Sequence, residues 1–397
     1  MYAVADTNVL VADGVLSRAQ ADHIEAASRQ NMVALAIHSI LVLGILAATG
    51  GLIFWLGTPI SVAVAGALFL AAGYLLLARG SQQLAMFGNS AALIGGGLLL
   101  GGATLEMIDK FEEMAGPVLT LGGGALTLGL VWLRAKHARL APFVFGAILA
   151  MAVAAHLTGV AAWLAFADVT GWPIALAQGY GALVLLALGT HLDVRLITAL
   201  AIVPLAQMLD TGTFYQHAMY AFYSPESTLT IVQMGLVITG ALFVAARVSP
   251  RFGRHARITA LMAFIVANLA ALVGSLGGDV VGQSMATGHR PDTGQSWEDW
   301  RAAQEAFEAN ALTLSADLYS VIWAALLVAL VIWTALSNRR GLFNASMTFA
   351  GIHAYTQLFE SFADEPMAYA LGGLAAIPVA WGVWKANQIL MARGQEV

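Results

Sequence analysis

Charged residues in this chain are concentrated in the short gaps between about twelve long apolar segments. Most of these segments run for about 18 residues or more, which is long enough to cross a hydrocarbon core about 30 Å thick. A chain in lipid must satisfy its backbone hydrogen bonds internally, so it forms either helices or a closed barrel. The apolar runs are continuous rather than alternating, which indicates helices. The sequence therefore predicts an all-α, polytopic transmembrane helical bundle of about twelve spans.

The composition argues against an ordinary soluble enzyme. Only 10% of the residues are charged and 59% are hydrophobic, whereas soluble domains average about 25% charged residues. The chain has no cysteine, which excludes disulfides, thiolate metal sites and cysteine nucleophiles. No zinc-protease, phosphate-loop, serine-hydrolase or dinucleotide-binding motif occurs in the sequence. We therefore expect no cofactor, no metal and no catalytic residues, and the sequence favours a protein that is not an enzyme.

The sign of the charges alternates from one gap to the next. Most of the 18 Lys and Arg residues fall in every second gap, as in 247–257, and most of the 23 Asp and Glu residues fall in the others, as in 279–317. Because short cytoplasmic loops carry an excess of Lys and Arg, the alternation predicts that both termini are cytoplasmic. We expect the cytoplasmic membrane of a prokaryote, with anionic lipid rather than nucleic acid beside the basic gaps.

The segmentation predicts three parts of the chain. They are a cytoplasmic helical segment (1–30), a transmembrane bundle (31–390) and a cytoplasmic tail (391–397). The first 30 residues contain no short apolar core with a cleavage site, so the first span is expected to direct insertion itself. The predicted spans are 32–56, 60–78, 84–105, 115–133, 140–165, 172–189, 195–209, 228–246, 258–281, 316–336, 341–361 and 366–386.

Two helices are predicted outside the bundle. In the N-terminal segment, Gly14 is expected to end a short helix, and Ser17 with Gln20 forms a capping-box pattern for the next one. An amphipathic lead-in resting on the inner leaflet is the alternative. Over 296–312, the apolar side chains share one face behind a suitable N-cap, which is typical of a helix in the outer interface. That apolar face comprises Trp297, Trp300, Phe307 and Ala311.

The seventh predicted span, 195–209, is the shortest, and Pro204 interrupts it. Short or broken helices often line a substrate site, because freed carbonyls need partners other than lipid. This predicts that Asp210 lies deeper than its loop position suggests; a tilted helix that ends at Asp210 is the alternative. The aromatic-rich segment 211–226 predicts interface anchoring or a partly re-entrant turn.

Glycines inside the spans predict close packing between helices. Gly97 and Gly101 form a G-x-x-x-G pattern, as do Gly274 and Gly278. Small residues let helix backbones approach in lipid, where no hydrophobic drive acts between helices. The pattern predicts contacts and does not identify a pore. These glycine-rich faces, together with the helix that carries Trp297 and Trp300, are the surfaces on which a membrane protein partner is predicted to dock.

The eleventh predicted span carries a stripe of polar side chains. His353, Gln357, Glu360 and Asp364 follow one another at helical spacing, so they share one face that leads to the predicted outer surface. Ionisable side chains at membrane depth are costly and point to function, here a proton relay or a cation site. The alternative is a stripe that only hydrogen-bonds a neighbouring helix.

Acidic residues at the outer end of the third predicted span form a second group. Glu106 and Asp109 share a helical face and, with Glu360, predict an acidic outer mouth that attracts cations. An ordinary acidic loop is the alternative. Elsewhere, His191 with Asp193 is a close His/Asp pair, for which we expect a surface ion pair at a cytoplasmic turn.

Two stretches of the chain carry a resemblance to a known family. The first is Gly14-Val-Leu-Ser-Arg-Ala-Gln-Ala-Asp-His-Ile24, followed by a Gly-rich first span. The second is Leu342-Phe-Asn-Ala-Ser-Met-Thr-Phe349, leading to Leu358-Phe-Glu-Ser-Phe362 and a Gly-rich last span. In these stretches the chain resembles a family of uncharacterised prokaryotic polytopic membrane proteins, defined by a domain of unknown function. The resemblance implies a cytoplasmic N-terminal helix before many spans, and it implies no activity or catalytic residues.

Two functions from different classes fit these observations. The first is transport or sensing of a small solute or cation through an acidic, outer-facing site. The second is a non-catalytic scaffold or accessory subunit of a membrane complex, which would dock its partner through the surfaces named above. The residues predicted to form the transport or cation site are Glu106, Asp109, Asp210, His353, Gln357 and Glu360.

Overall fold

The computed structural model describes most of the chain, which forms two compact units. We call residues 2–174 the N-terminal unit and residues 175–397 the C-terminal unit. The described residues are helical apart from short loops and two small two-stranded sheets, which confirms the all-α class. They are 7–79, 85–136, 142–169, 171–209, 211, 213–216, 221–288, 291, 294–337 and 339–362, with six isolated positions between 367 and 381.

Eight helices in these ranges are long and apolar enough to cross a membrane, by length and composition alone. Two further apolar segments, Ala47–Leu56 and Arg195–Gln207, are shorter. The predicted number of twelve spans is therefore not confirmed. The eleventh predicted span forms a helix of 23 residues that is not one of the eight, and most of the twelfth lies outside the described residues. The predicted cytoplasmic tail, 391–397, also lies outside them.

The N-terminal unit begins with the predicted short helix, followed by a long helix that starts at the predicted capping box. Gly14 has a left-handed φ of 71° just after the first helix, as expected of a residue that ends it. The predicted capping box is present, since Gln20 N donates to Ser17 Oγ at 3.2 Å and Ser17 N donates to Gln20 Oε1 at 2.9 Å. The second helix then continues unbroken into the first apolar segment. The helices are α1 (Thr7–Ala12), α2 (Arg18–Leu56), α3 (Pro59–Arg79), α4 (Ala85–Lys110), α5 (Glu112–Lys136) and α6 (Pro142–Phe166).

Glycines spaced seven residues apart bring α3 and α4 into close contact. A Cβ added to Gly66 would lie 2.2 Å from Leu99 N, and one on Gly95 would lie 2.2 Å from Leu70 N. Seven residues make about two helical turns, so these glycines stay on one face. The predicted G-x-x-x-G pair is not in this contact, because a Cβ on Gly101 would meet nothing within 4 Å. The glycines at this interface are Gly66, Gly73, Gly88, Gly95 and Gly102.

The C-terminal unit is arranged around one central helix. This helix, α11, contacts α8, α9, α10, α14 and α15, and small side chains such as Ala263 and Ala270 are fully buried on it. The elements are α7 (Trp172–Leu192), α8 (Arg195–Leu200), α9 (Ile202–Gln207), β1 (Phe214–Gln216), β2 (Ala221–Tyr223), α10 (Ser227–Ala245), α11 (Pro250–Gly277), β3 (Asp279–Val280), α12 (Gln283–Thr287), α13 (Trp297–Glu308), β4 (Thr313–Leu314), α14 (Ala316–Leu336) and α15 (Arg340–Phe362).

The seventh predicted span is short and broken, as expected. It consists of α8 and α9, which are separated at Ala201. Pro204 has no N–H to donate to Leu200 O, and its ring would clash with that carbonyl in a continuous helix; it is tolerated in the first turn of α9. The aromatic segment that follows forms an antiparallel hairpin, in which Phe214 pairs with Tyr223.

The predicted interfacial helix is present as α13. Ser296 is its N-cap, since Ser296 Oγ accepts a hydrogen bond from Asp299 N at 3.0 Å. Part of its apolar face packs on the protein: Trp300 Nε1 donates to Thr287 O at 3.0 Å. Trp297 packs edge-on against Trp300 and is 61% exposed. The position of α13 at a membrane interface remains a prediction.

Candidate functional site

Two polar clusters lie at opposite ends of α11. His255 is near the start of the helix and Asp279 follows its end, so 24 residues place them about 36 Å apart along the axis. This exceeds the thickness of a hydrocarbon core, about 30 Å. Basic residues lie at the start of α11 and acidic residues lie at its end, in agreement with the alternation of basic and acidic gaps along the sequence. The basic-end cluster comprises Asp193, Thr198, Arg251, Arg254 and His255, and the acidic-end cluster comprises Glu226, Thr228, Asp279 and Tyr319.

Asp279 joins the starts of α10 and α14. It is 6% exposed, and its Oδ2 accepts hydrogen bonds from Thr228 N at 2.7 Å and from the Tyr319 hydroxyl at 3.3 Å. The N–H groups in the first turn of a helix have no partner within the helix, so this carboxylate caps α10. Asp279 Oδ1 is also buried and has no hydrogen-bond partner among the described residues.

Glu226, directly before α10, is fully buried. Its Oε2 accepts from Gly282 N at 2.7 Å and its Oε1 accepts from Ser284 N at 2.6 Å. A buried carboxylate is very costly unless it is hydrogen-bonded, and these two bonds supply that compensation. Neither Glu226 nor Asp279 forms an ion pair with a Lys or Arg in the described ranges. The negative charge at this end is therefore balanced by hydrogen bonds alone in the part that the structure describes.

Four buried hydroxyl groups connect the β1–β2 hairpin to the start of α10. Thr213 Oγ1 lies 2.7 Å from Thr230 Oγ1, 2.9 Å from Ser224 Oγ and 3.3 Å from Thr211 Oγ1. A hydroxyl both donates and accepts, so the group satisfies itself. This cluster fixes the residues around Glu226 and has no charge of its own.

An apolar groove runs between α10 and α14, with α11 as its floor. Its volume is about 400 Å³, and on α14 it extends from Leu318 to Leu330, which is about 18 Å of helix. Val232 on one wall and Leu326 on the other are 55% and 57% exposed, so the groove is open along its side. One end is lined by Thr228 and Tyr319, two members of the acidic-end cluster.

A hydrogen-bonded pair of polar side chains, Asn268 and Trp323, lies on the floor of the groove. Asn268 Oδ1 accepts from Trp323 Nε1 at 2.9 Å, and Asn268 Nδ2 donates to Phe264 O at 2.8 Å. The Trp323 ring also contacts the His353 ring edge-on, with 4.7 Å between the ring centroids. His353 Nδ1 is buried without a hydrogen-bond partner among the described residues. The predicted site residue His353 therefore packs against a residue that lines the groove.

The second predicted glycine motif, Gly274 and Gly278, lies at the acidic end of α11. A Cβ on Gly274 would lie 2.6 Å from the Tyr319 ring, so any larger residue would displace that ring. Gly278 has a left-handed φ of 73°, and a Cβ there would lie 2.8 Å from Leu314 O. These two glycines allow α14 and β4 to approach the end of α11, which confirms the predicted close packing at this motif.

The basic-end cluster centres on Asp193, in the turn between α7 and α8. His255 Nε2 lies 2.8 Å from Asp193 Oδ1, and Arg254 Nη2 donates to both Asp193 oxygens at 2.8 Å. These bonds from His255 and Arg254 hold the pKa of the Asp193 carboxyl below its usual value. His255 itself is buried, and its Nδ1 lies 2.6 Å from Thr198 Oγ1. The cluster joins the α7–α8 turn to α11.

The predicted surface ion pair is present at this turn, but His191 is not the basic partner of Asp193. Asp193 pairs instead with Arg254 and His255, which lie about 60 residues away in the chain. His191 takes part through its carbonyl, which accepts from Arg251 Nη2 at 2.5 Å, and the carbonyl of Thr190 accepts from the same atom. A basic side chain there satisfies carbonyls that the end of α7 leaves free.

The predicted site residues fall in both units, and each set is considered by itself. In the N-terminal unit, Glu106 Oε1 pairs with Lys110 Nζ at 2.6 Å. Glu106 Oε2 is buried without a partner among the described residues, and Asp109 is exposed. In the C-terminal unit, His353 and Gln357 are partly buried on α15. Asp210, Asp364 and the side chain of Glu360 lie outside what the structure describes.

Sequence reasoning missed the importance of Glu226 and Asp279. Glu226 lies in the polar gap before the predicted span 228–246, and Asp279 lies at the end of the predicted span 258–281, where the acidic gap 279–317 begins. A carboxylate is favoured beside the first turn of a helix, and Glu226 directly precedes a predicted span, but its side chain does not cap α10. The bond from Asp279 to Thr228 crosses 51 positions of the sequence, however, and such a pairing cannot be deduced from spacing.

Comparisons with protein-family models, with curated proteins and with solved structures find no match to this chain. The resemblance to a prokaryotic membrane family noted above gains no support from them. The fold itself defines a class: a predominantly helical protein whose described residues include eight long apolar helices, which are consistent with a multi-pass membrane protein.

Proposed function

We propose that this protein moves or senses a small solute or cation, and that Asp279 binds it at the acidic end of the C-terminal unit. The observation that carries the proposal is Asp279 Oδ1, a buried acceptor without a donor among the described residues. Such a group costs about 1–3 kcal/mol. A cation, or a protonated group of a solute, would supply the missing partner.

A second carboxylate supports the proposal. Glu226 is buried beside the same helix start, so two acids concentrate negative charge at this end of the unit. Charge of one sign in a low-dielectric setting raises the local concentration of cations. His353 and Gln357 of α15 belong to the proposed pathway, as His353 contacts the groove residue Trp323. The proposal retains Asp210 and Glu360 in this unit, and Glu106 with Asp109 as the acidic group of the N-terminal unit.

The proposal includes an orientation. The Arg-rich segment 247–257 lies at the start of α11, opposite the acidic end. If that segment is cytoplasmic, as the positive-inside rule favours, the acidic end faces the outside of a prokaryotic cytoplasmic membrane. A solute would then meet Asp279 and Glu226 from the outer side.

Ion flux into proteoliposomes tests the proposal. Wild-type protein is reconstituted with an internal pH dye, and currents are recorded on a solid-supported membrane under gradients of H⁺, Na⁺ and K⁺. We expect a current with at least one of these ions, and a reduction of at least tenfold in Asp279→Asn, which keeps the side-chain shape and removes its charge. Asp299→Asn, at an exposed position of α13, is the matched control and should leave the current unchanged. Absence of any wild-type current contradicts transport, and equal currents in both variants contradict the proposed role of Asp279.

One observation favours the scaffold function as a second candidate. Trp297 presents 61% of its surface at the start of α13, although its neighbour Trp300 is packed. Exposed aromatic side chains are enriched at sites that contact other proteins. A photo-crosslinking residue at position 297 should then give discrete protein adducts in cells. Adducts with lipid alone would assign α13 to the membrane interface instead.

A further inference from the structure

We propose that the groove between α10 and α14 binds a single-chain amphiphile with an ammonium head. The alkyl chain would lie along the groove, and the head would lie at the acidic-end cluster. This inference rests on the proposed function, because it names the class of solute that Asp279 receives. It is argued from three properties of the groove: its length and lining, the chemistry of its end, and its opening.

The groove has the dimensions of one alkyl chain in one leaflet. Its extent on α14, about 18 Å, is slightly more than half of a hydrocarbon core about 30 Å thick. Away from Thr228, Tyr319 and the Asn268–Trp323 pair, the lining is apolar. Its helices are among those long and apolar enough to cross a membrane, and exposed side chains form both walls. An amphiphile dissolved in the bilayer can therefore enter from the side without passing through water.

The end of the groove is suited to a head that donates hydrogen bonds. The hydroxyls of Thr228 and Tyr319 line it and bond to each other, and Tyr319 donates onward to Asp279. Asp279 keeps one oxygen without a donor among the described residues. An ammonium group has three donors and no acceptor, so it matches a carboxylate and two hydroxyl oxygens.

The charge at this end disfavours an ordinary phospholipid as the occupant. Asp279 and Glu226 are both buried there, and neither forms an ion pair with a basic residue in the described ranges. A phosphate or sulfate placed at the groove end would meet like charge in a poorly solvated setting, where repulsion is strong. These carboxylates attract a cationic head and repel an anionic one. The charge of the head therefore decides which amphiphile binds.

Gly235 provides a substitution that fills the groove without disturbing the fold. It lies on the α10 wall, and a Cβ added to it meets nothing within 4 Å. We expect Leu at this position to occupy groove space, because Gly235 lines the groove and its Cβ position is open. Gly240 is a matched control, because it lies on the same helix, also meets nothing within 4 Å, and does not line the groove. Val232, on the same wall, offers a second blocking position.

Binding is measured with the whole protein in phosphatidylcholine nanodiscs, by quenching of tryptophan fluorescence with brominated dodecylammonium. Trp323→Phe identifies the share of quenching that arises in the groove. We expect wild-type protein to bind this probe at least tenfold more tightly than Gly235→Leu and within twofold of Gly240→Leu. Brominated dodecyl sulfate should bind wild-type protein at least tenfold more weakly than the ammonium probe, and Asp279→Asn should reduce this preference at least fivefold.

Several results would overturn the inference. They are equal affinity in wild type and Gly235→Leu, equal affinity for the ammonium and sulfate probes, and quenching by brominated phosphatidylcholine that the ammonium probe does not displace. The last result would identify a bilayer lipid as the occupant. If Gly235→Leu does not purify as a single species, Val232→Phe replaces it with the same expected loss. Binding as predicted, without flux in proteoliposomes, would refute transport and leave the binding site of a sensor intact.

Discussion

Two glycines of α4 give a direct test of how α3 and α4 pack. A Cβ on Gly95 would lie 2.2 Å from Leu70 N and 2.7 Å from Gly66 O, whereas one on Gly101 would meet nothing within 4 Å. Ordinary van der Waals contacts begin at about 3.4 Å. Gly95→Ala therefore requires α3 and α4 to separate locally by about 1.2 Å.

The loss of folding stability in Gly95→Ala follows from that separation of the two helices. A gap of about 1 Å removes up to half of the dispersion energy of each affected atom pair. The atoms that the new methyl meets are backbone atoms, so a side-chain rotation cannot relieve the overlap. Overpacked sites cost about 1–3 kcal/mol and occasionally more, and we expect the upper part of this range for Gly95→Ala. For Gly101→Ala we expect no loss and a gain of up to about 1 kcal/mol from helix propensity.

The two variants are compared by unfolding in mixed micelles, with SDS titration followed by far-ultraviolet circular dichroism. A difference of about 3 kcal/mol corresponds to more than a hundredfold change in the folding equilibrium. Because the chain has no cysteine, single cysteines placed in α3 and α4 can be cross-linked as an independent measure of helix separation. Equal unfolding midpoints for Gly95→Ala and Gly101→Ala would refute the account of this interface, because only one of the two positions lacks space.

Three further predictions concern the ends of helices. Because His255 and Arg254 lower the pKa of Asp193, its bonds stabilise the fold above the usual carboxyl pKa of 3.8, and this contribution is lost as the pH falls from there through the lower folded-state pKa. Unfolding titrations carried from neutral pH to below pH 3.8 should show the loss, and Asp193→Asn should remove it. Thr198→Val leaves the buried His255 Nδ1 without its hydroxyl partner and should cost about 1–3 kcal/mol in the same titration; an unchanged midpoint would contradict this bond. Ser17→Ala removes a capping bond and should lower the stability of α2 by about 1 kcal/mol. Faster amide hydrogen exchange in the first turn of α2 would show this loss, and exchange at the wild-type rate would exclude the capping box.

The sequence predicted the helices well where the membrane sets their length. The helix α14 occupies 316–336 as predicted, and α10 lies within one residue of the predicted span 228–246. The helix α11 differs, because it begins at Pro250, eight residues before the predicted start. Hydropathy detects where a segment leaves the hydrocarbon, whereas a helix continues as long as its residues permit. The charged residues that precede residue 258 therefore extend α11 beyond its apolar part.

The interfaces and the site were less accessible from sequence. The G-x-x-x-G pattern singles out Gly97 and Gly101, while the closest contact of α3 and α4 uses glycines seven apart, such as Gly95 and Gly102. The groove exists because α10 and α14 pack on α11 with a space between them. No local sequence pattern predicts that arrangement of three helices. His353 could be selected from sequence because an isolated polar residue stands out in an apolar span. Asp279 did not stand out among the other acids of its long loop.

Asp279 has a structural role through one carboxylate oxygen and a proposed binding role through the other, so its variants must separate the two. One of its oxygens receives hydrogen bonds from both walls of the groove, through Thr228 of α10 and Tyr319 of α14. Removal of that oxygen, as in Asp279→Ala, would uncap α10 and release Tyr319 at once, so lost binding would have a structural explanation. Asp279→Asn keeps an acceptor for these bonds and changes only the charge and the oxygen that lacks a donor. Because the two effects separate in this way, an Asn variant that folds like wild type and loses its preference for ammonium over sulfate would assign recognition to the charge itself.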